Sequence, residues 1–231
     1  LFRERPLEAR WFAFWLLERL LPSDPERTWQ LIRRGSREAG DWVTVDSLAH
    51  AVARGILAEP YRWAELEQLV YSPSRWERRL VGSTIATIPF VDRRAGRRSD
   101  VAGHGLALVS ELIGDREPDV QKALSWALRS LVAIDPVAVA DFADEQSAIA
   151  ASEDDGHRAW VVRDMLGKLE PALAAELRER LGGIRRRPRA PSTSRAALTV
   201  ARFGRLPDPA ALPEPPLVSD GAAASDRRAE A

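Results

Sequence analysis

A tryptophan and an aspartate four residues apart are the first side chains whose types and spacing could do chemistry. Trp42 and Asp46 share one face if the segment is helical, which places a carboxylate beside an indole. The small residues Ala49 and Ala53 are predicted to continue that face and to leave room for a ligand. Two interpretations stay open. In the first, Asp46 acts on a ligand at this face. In the second, Asp46 pairs with an arginine of a neighbouring helical repeat, and Trp42 fills a gap in the packing.

A strongly basic stretch lies between residues 75 and 98. Its charged residues are Glu77 and Asp92 against Arg75, Arg78, Arg79, Arg93, Arg94, Arg97 and Arg98. In the predicted helix there, Arg75 and Arg79 point away from the apolar side. Arg79 therefore pairs with Asp46, or binds a phosphate, or does both. Arg75 and Arg78 are predicted as further contacts to nucleic acid.

A second tryptophan interrupts the pattern of the helix predicted over residues 117–132. Lys122, Trp126 and Arg129 lie together on the side opposite the apolar stripe of that helix. Either another repeat covers this indole and the cations flank it, or it faces a ligand that offers both a π-surface and negative charge. Nucleic acid is such a ligand.

The elements that must position these residues are helices, because helical periodicity dominates the chain. The predicted helices cover about residues 7–21, 25–36, 42–57, 61–71, 73–89, 100–114, 117–132, 136–149, 155–167 and 170–182. In pairs they predict an all-α, HEAT-like or ARM-type α-α superhelical solenoid of about five helix pairs, whose first helices line one concave face. This domain is predicted to span residues 1–183. Residues 184–231, rich in Pro, Ala and Arg, are predicted to be a disordered tail.

Composition excludes several classes of protein. The chain has no cysteine, and its histidines, His50, His104 and His157, lie far apart, so we expect no metal site and no cofactor. The N-terminal apolar stretch is too short and too charged to span a membrane. We expect a monomeric cytoplasmic protein. The formal net charge is zero, but the arginines and the acids collect in different segments of the chain.

Three separated motifs give the sequence a family resemblance. The segments DWVTVD at 41–46, SPSRWERR at 72–79 and VQKALSWALRSLVAIDP at 120–136 resemble successive signatures of the AlkD-type bacterial DNA alkylation repair proteins. EARWFAFWLLERL at 8–20 is similar to the helix that precedes the first signature. The resemblance runs from about residue 7 to residue 182.

The resemblance implies a DNA glycosylase that removes positively charged N3- and N7-alkylated purines from double-stranded DNA without extruding the base. Asp46 would be the catalytic carboxylate that stabilises the sugar cation and holds the attacking water. Trp42 and Trp126 would pack against the deoxyribose of the lesion, and Arg79 would hold a phosphate.

The chain departs from the family pattern at three places. It has Asp41-Trp42-Val43 where the family shows a double tryptophan followed by an aspartate, and its loop at 91–100 is longer and richer in arginine. The first helices of the family have no counterpart before Leu1, so we expect that N-terminal helices are lacking. Two alternative functions stay open: a non-catalytic DNA-binding protein of the same family and a protein-interaction scaffold.

Overall fold

The computed structural model describes residues 7–187 and 189–203, and all regular elements in them are helical. The α-helices are α1 (Leu7–Leu20), α2 (Pro25–Glu38), α3 (Trp42–Ala58), α4 (Trp63–Gln68), α5 (Arg75–Val91), α6 (Ser99–Leu112), α7 (Pro118–Leu131), α8 (Pro136–Glu153), α9 (Gly156–Met165), α10 (Pro171–Arg180) and α11 (Arg195–Phe203). Single 3₁₀ turns flank α4 and follow α9. The predicted all-α solenoid is confirmed.

The helices begin where the sequence supplies capping chemistry. The Asp24, Asp41 and Asp135 side chains each accept a hydrogen bond from a backbone N–H in the first turn of α2, α3 and α8. Pro25 and Pro136 occupy the first helical positions, where no backbone N–H is needed. Local chemistry therefore fixes these starts.

The helices pair and stack in two layers. The first helices of the five pairs, α1, α3, α5, α7 and α9, each pack against the next and form what we call the first-helix layer. Among the second helices, α2 packs against α3, α6 against α7, α8 against α9, and α10 against α8, while the 3₁₀ turns that flank α4 contact α3 and α5. The largest hydrophobic cluster runs through all five pairs and contains fully buried Leu48, Leu80, Leu128 and Val161. Each repeat thus buries its apolar face against its neighbours.

The C-terminal part of the described chain contradicts the prediction of disorder from residue 184 onward. Residues 184–187 and 189–203, named here the C-terminal strap, lie against the folded repeats, and α11 packs against α6. Ser194 is buried. Residue 188 and residues 204–231, which the same prediction covers, lie outside the described residues.

Polar contacts hold the strap in place. The Thr193 N–H donates to the Gly114 carbonyl at 2.9 Å. At the start of α9, a Cβ on Gly156 would lie 2.2 Å from the Arg185 carbonyl oxygen, so the strap backbone passes directly over this glycine. Composition predicted disorder because prolines, arginines and small residues bury little apolar surface. These contacts satisfy backbone groups in distant loops, which helical periodicity does not reveal.

No helix in the described part of the chain is long and apolar enough to cross a membrane. Among the same residues, no three His, Asp or Glu side chains come together as a metal site.

Candidate active site

The Asp46 carboxylate lies on α3, and donors from α5 hold it. Arg79 Nε donates to Oδ1 at 3.0 Å and Arg79 Nη2 to Oδ2 at 2.7 Å, while Ser83 Oγ donates to Oδ1 at 2.6 Å. A carboxylate offers about four lone-pair positions, two on each oxygen. Two donors occupy Oδ1 and one occupies Oδ2, so one acceptor position on Oδ2 stays unused. The side chain is 20% exposed, which leaves that position within reach of a ligand or water.

Arg79 ties three consecutive first helices together. Its side chain is only 7% exposed, and its Nη1 donates to the Asp119 carbonyl of α7 at 2.6 Å. The predicted pairing with Asp46 is therefore present, and it is bidentate. All three guanidinium nitrogens have acceptors, so Arg79 fixes the orientation of the carboxylate. Its predicted contact with a phosphate stays a prediction.

A close approach of α5 to α7 sets the position of these donors. A Cβ on Gly82 would lie 2.8 Å from the Ala123 carbonyl carbon and 2.9 Å from the Ala123 Cβ. Only a residue without a side chain permits this contact without displacement. Since Gly82 neighbours Ser83, the contact sets how deeply the Asp46 partners lie between α3 and α7.

Trp42 is the first residue of α3 and is 56% exposed. Asp41 anchors this end of the helix. Its carboxylate accepts the Thr44 N–H at 2.8 Å, the Thr44 Oγ1 hydroxyl at 2.7 Å and Arg10 Nη1 at 2.9 Å. Burial raises the pKa of Asp41, but the hydrogen bonds from Thr44 and the charge of Arg10 outweigh it and hold the pKa below its ordinary value of 3.8. The exposed indole therefore projects from a firmly capped helix end.

The exposed face of α3 differs from the predicted one. Ala49 and Ala53 are fully buried, and Ala53 packs with Ile88 of α5. At about 100° per residue, both alanines lie within about 20° of Trp42 around the helix axis, so they do continue its face. Neighbouring side chains, Ile88 among them, cover that face beyond the first turns of α3. The exposed face instead runs along Trp42, Asp46, His50 and Arg54, here named the α3 stripe.

The stripe predicted on α7 is present, in part. Lys122 is exposed, whereas Trp126 is half-buried and packs against the main hydrophobic cluster. Arg129 forms a salt bridge with Asp164 of α9 and donates to Ser125 Oγ at 3.2 Å. The Trp126 indole thus keeps an open edge next to an exposed lysine.

The two remaining predicted contacts differ from each other. Arg78 is 15% exposed, and its Nε donates to the buried Asp115 carboxylate at 2.6 Å, so it serves the link between α5 and the loop before α7. Arg75 is 49% exposed, and its guanidinium lies 4.7 Å above the Trp76 ring. The Arg75 guanidinium also lies within 4 Å of the Glu117 and Asp119 carboxylates. Of the residues predicted to contact nucleic acid, Lys122 is exposed and has no salt bridge within the described residues.

Sequence reasoning missed two partners of the Asp46–Arg79 pair. Ser83 follows Arg79 by four residues and so shares its helix face, a signal that was available in the sequence. Asp119 contributes only its backbone carbonyl, which carries no sequence signal.

Comparison with known proteins identifies the family of the chain. The model of the family described as DNA alkylation repair enzyme matches residues 1–164. The chain belongs to this family. No curated protein and no solved structure matches it. The matched range includes Trp42, Asp46, Arg79 and Trp126, whereas the C-terminal strap lies beyond it.

Membership in the DNA alkylation repair family gives the chain a role in repair of alkylated DNA, with DNA as its partner. The Asp46–Arg79 pair on the first-helix layer is thus part of a repair enzyme.

Proposed function

We propose that this protein is a DNA glycosylase that hydrolyses the N-glycosidic bond of N3- or N7-alkylated purines in double-stranded DNA. The observation that carries the proposal is the Asp46 carboxylate, which Arg79 and Ser83 orient while one lone-pair position on Oδ2 stays accessible. The family supplies the context of alkylated DNA.

The chemistry of the lesion matches what one oriented carboxylate can do. An alkylated purine carries a positive charge, so it takes the electron pair of the breaking bond to C1′ and leaves as a neutral base. The deoxyribose is left with a developing positive charge. A carboxylate beside the sugar stabilises that charge electrostatically, and no acid is needed to protonate the leaving group.

Water completes the reaction. Its oxygen forms the new bond to C1′, and the proton it loses passes through Asp46 Oδ2 to solvent. Oδ1 cannot serve equally well, because Arg79 and Ser83 occupy both of its acceptor positions. The geometry therefore favours Oδ2 as the oxygen that faces sugar and water.

The tryptophans would hold the lesion without a closed base pocket. Trp42 is more than half exposed at the start of α3, and Trp126 shows an edge on α7, two helices away in the first-helix layer. Indoles in these positions suit packing against the deoxyribose backbone on both sides of Asp46. This arrangement supports cleavage with the base left in the duplex.

The test is release of 7-methylguanine or 3-methyladenine from alkylated duplex by the parent and by Asp46→Asn. Removing one electrostatic stabiliser typically costs about 10²–10³ in rate, so we expect release by the variant to fall at least about 100-fold. Asn also leaves the buried Arg79 without its ion pair, so thermal melting must establish that the variant is folded at the assay temperature.

Asp155→Asn is the matched control. Asp155 is buried and pairs with Arg158 at 3.2 Å, so the same substitution removes a comparable ion pair at the start of α9, away from the α3 stripe. We expect this variant to lose stability and keep base release. Equal release by folded Asp46→Asn and parent contradicts the catalytic role. DNA binding without any release by the parent favours a non-catalytic DNA-binding protein.

A further inference from the structure

The loop between α5 and α6 has a defined conformation. Asp92 Oδ1 accepts the backbone N–H groups of Arg94 at 2.8 Å and Ala95 at 2.9 Å, and the Gly96 N–H donates to the Asp92 carbonyl at 2.8 Å. A Cβ on Gly96 would lie 2.1 Å from the Ile88 carbonyl oxygen, so the chain turns back directly against the end of α5. The loop is a fixed turn on a helix end.

This turn presents two uncommitted cations. Arg97 Nε donates to the Pro89 carbonyl at 3.2 Å, and Arg98 forms a salt bridge with Asp100 at 2.8 Å. Arg93 and Arg94 are exposed, and within the described part of the chain neither guanidinium takes part in a hydrogen bond or salt bridge. The carboxylate of Asp92, the acid of this turn, accepts backbone N–H groups and forms no salt bridge with either arginine. Two free positive charges therefore project from one turn.

The α3 stripe leads from the candidate active site to this turn. Its last member, Arg54, stands two helical turns beyond Asp46. Ala53, the residue before Arg54, packs with Ile88 near the end of α5, so Arg54 lies at the level of this turn. The Arg54 guanidinium forms a salt bridge with Glu18 of α1. The three arginines Arg54, Arg93 and Arg94 are here named the basic edge. Arg93 and Arg94 supply its free charge, because Arg54 is paired with Glu18.

The length of α5 sets the distance between the site and the basic edge. Ser83 contacts Asp46, and Asp92 follows Ser83 by nine residues. At about 1.5 Å per residue this is about 14 Å along the helix axis. DNA phosphates on one strand are spaced by about 3.4 Å along the duplex axis, and the minor groove is about 6 Å wide. A duplex that lies over Asp46 therefore has backbone phosphates within reach of the turn.

We propose that the basic edge binds phosphates of the duplex several nucleotides away from the lesion and so extends the DNA footprint beyond the catalytic site. This rests on the proposed function for the placement of DNA over Asp46. The chemistry is that of guanidinium and phosphate, which gives affinity without reading sequence. The turn then holds the duplex while the α3 stripe presents the carboxylate to the damaged nucleotide.

The test is the salt dependence of binding to a short unmodified DNA duplex, measured with the full chain. Removal of one arginine–phosphate interaction reduces the slope of log K against log salt by about 0.9. The double variant Arg93→Ala/Arg94→Ala is therefore expected to lower the slope by about 1.8. Arg93→Lys/Arg94→Lys keeps both charges, so it is expected to retain the slope of the parent, which depends on the number of phosphates neutralised.

A charge-matched control separates this from a general loss of positive charge. Arg27 on α2 and Arg178 on α10 are exposed arginines of the second helices, and within the described residues neither side chain takes part in a hydrogen bond or salt bridge. Arg27→Ala/Arg178→Ala removes the same charge and is expected to leave the slope unchanged. Thermal melting compares the stability of all variants.

The outcomes are distinct. A reduced slope for Arg93→Ala/Arg94→Ala alone supports the proposal. An unchanged slope, an equal reduction in the control, or a parent that does not bind the duplex overturns it. The glycosylase proposal fails separately, if the parent releases no alkylated base; a reduced slope alongside that failure would still locate DNA on the basic edge.

Discussion

The Asp46–Arg79 pair should behave as one energetic unit, and a double-mutant cycle in unfolding free energy tests this. The perturbations are Asp46→Ala, Arg79→Ala and the double variant. Each single change leaves one charged partner without its ion pair. Without Asp46, the Arg79 guanidinium retains only its hydrogen bond to the Asp119 carbonyl. Without Arg79, the Asp46 carboxylate retains only the hydrogen bond from Ser83. The double change removes both charges together.

Burial sets the size of the effect. Removing one partner of a buried ion pair costs about 3–5 kcal/mol, because the other charge stays without compensation. Arg79 is 7% exposed and Asp46 20% exposed, so Asp46→Ala should cost more than Arg79→Ala. We expect losses near the lower end of that range for Arg79→Ala and a coupling energy of about 2–3 kcal/mol between the two sites.

Urea denaturation of the four proteins, with slopes compared to check two-state unfolding, measures the cycle. A double variant as unstable as the sum of the single losses, within about 0.5 kcal/mol, would refute the pair as the unit that orients the carboxylate. Release assays on Arg79→Ala add a second readout, since we expect the oriented carboxylate and the base-release activity to be lost together.

Three further predictions concern the scaffold of the site. Gly82→Ala forces α5 away from Ala123, so it should lower the unfolding free energy by about 1–3 kcal/mol in urea titrations. Gly156→Ala pushes against the Arg185 carbonyl and should expose the C-terminal strap to faster limited proteolysis. Asp41→Asn should make the free energy of unfolding less dependent on pH in the acid range. The folded pKa of Asp41 lies below 3.8, so its stabilisation is complete above that value and is lost as the pH falls through the folded pKa.

Other glycines serve as controls for the two glycine variants. A Cβ on Gly40 or Gly167 would meet no atom within 4 Å. Gly40→Ala should therefore leave the unfolding free energy nearly unchanged, and Gly167→Ala should leave the proteolysis pattern of the strap unchanged. If the controls and the test variants behave alike, the close approaches at Gly82 and Gly156 are not what holds the helices and the strap.

Much of the scaffold was predictable because its signals are local. The helices predicted over 42–57 and 117–132 correspond to Trp42–Ala58 and Pro118–Leu131. Capping residues and apolar periodicity act within one or two turns, so the sequence states them directly. The strap gave no such signal, because its order depends on hydrogen bonds to loops many residues earlier in the chain.

The sequence by itself determined the helices, their pairing into a solenoid and the placement of Trp42 beside Asp46 on one face of α3. A spacing of four residues in a helix is sufficient for that. It left open whether Arg79 pairs with Asp46 or contacts a phosphate, because both roles need the same residue on the same face. Only the packing of α3, α5 and α7 decided that the guanidinium lies buried between two helices, where an ion pair satisfies it. Interhelical distances, which no local pattern encodes, brought Asp46, Arg79 and Ser83 together.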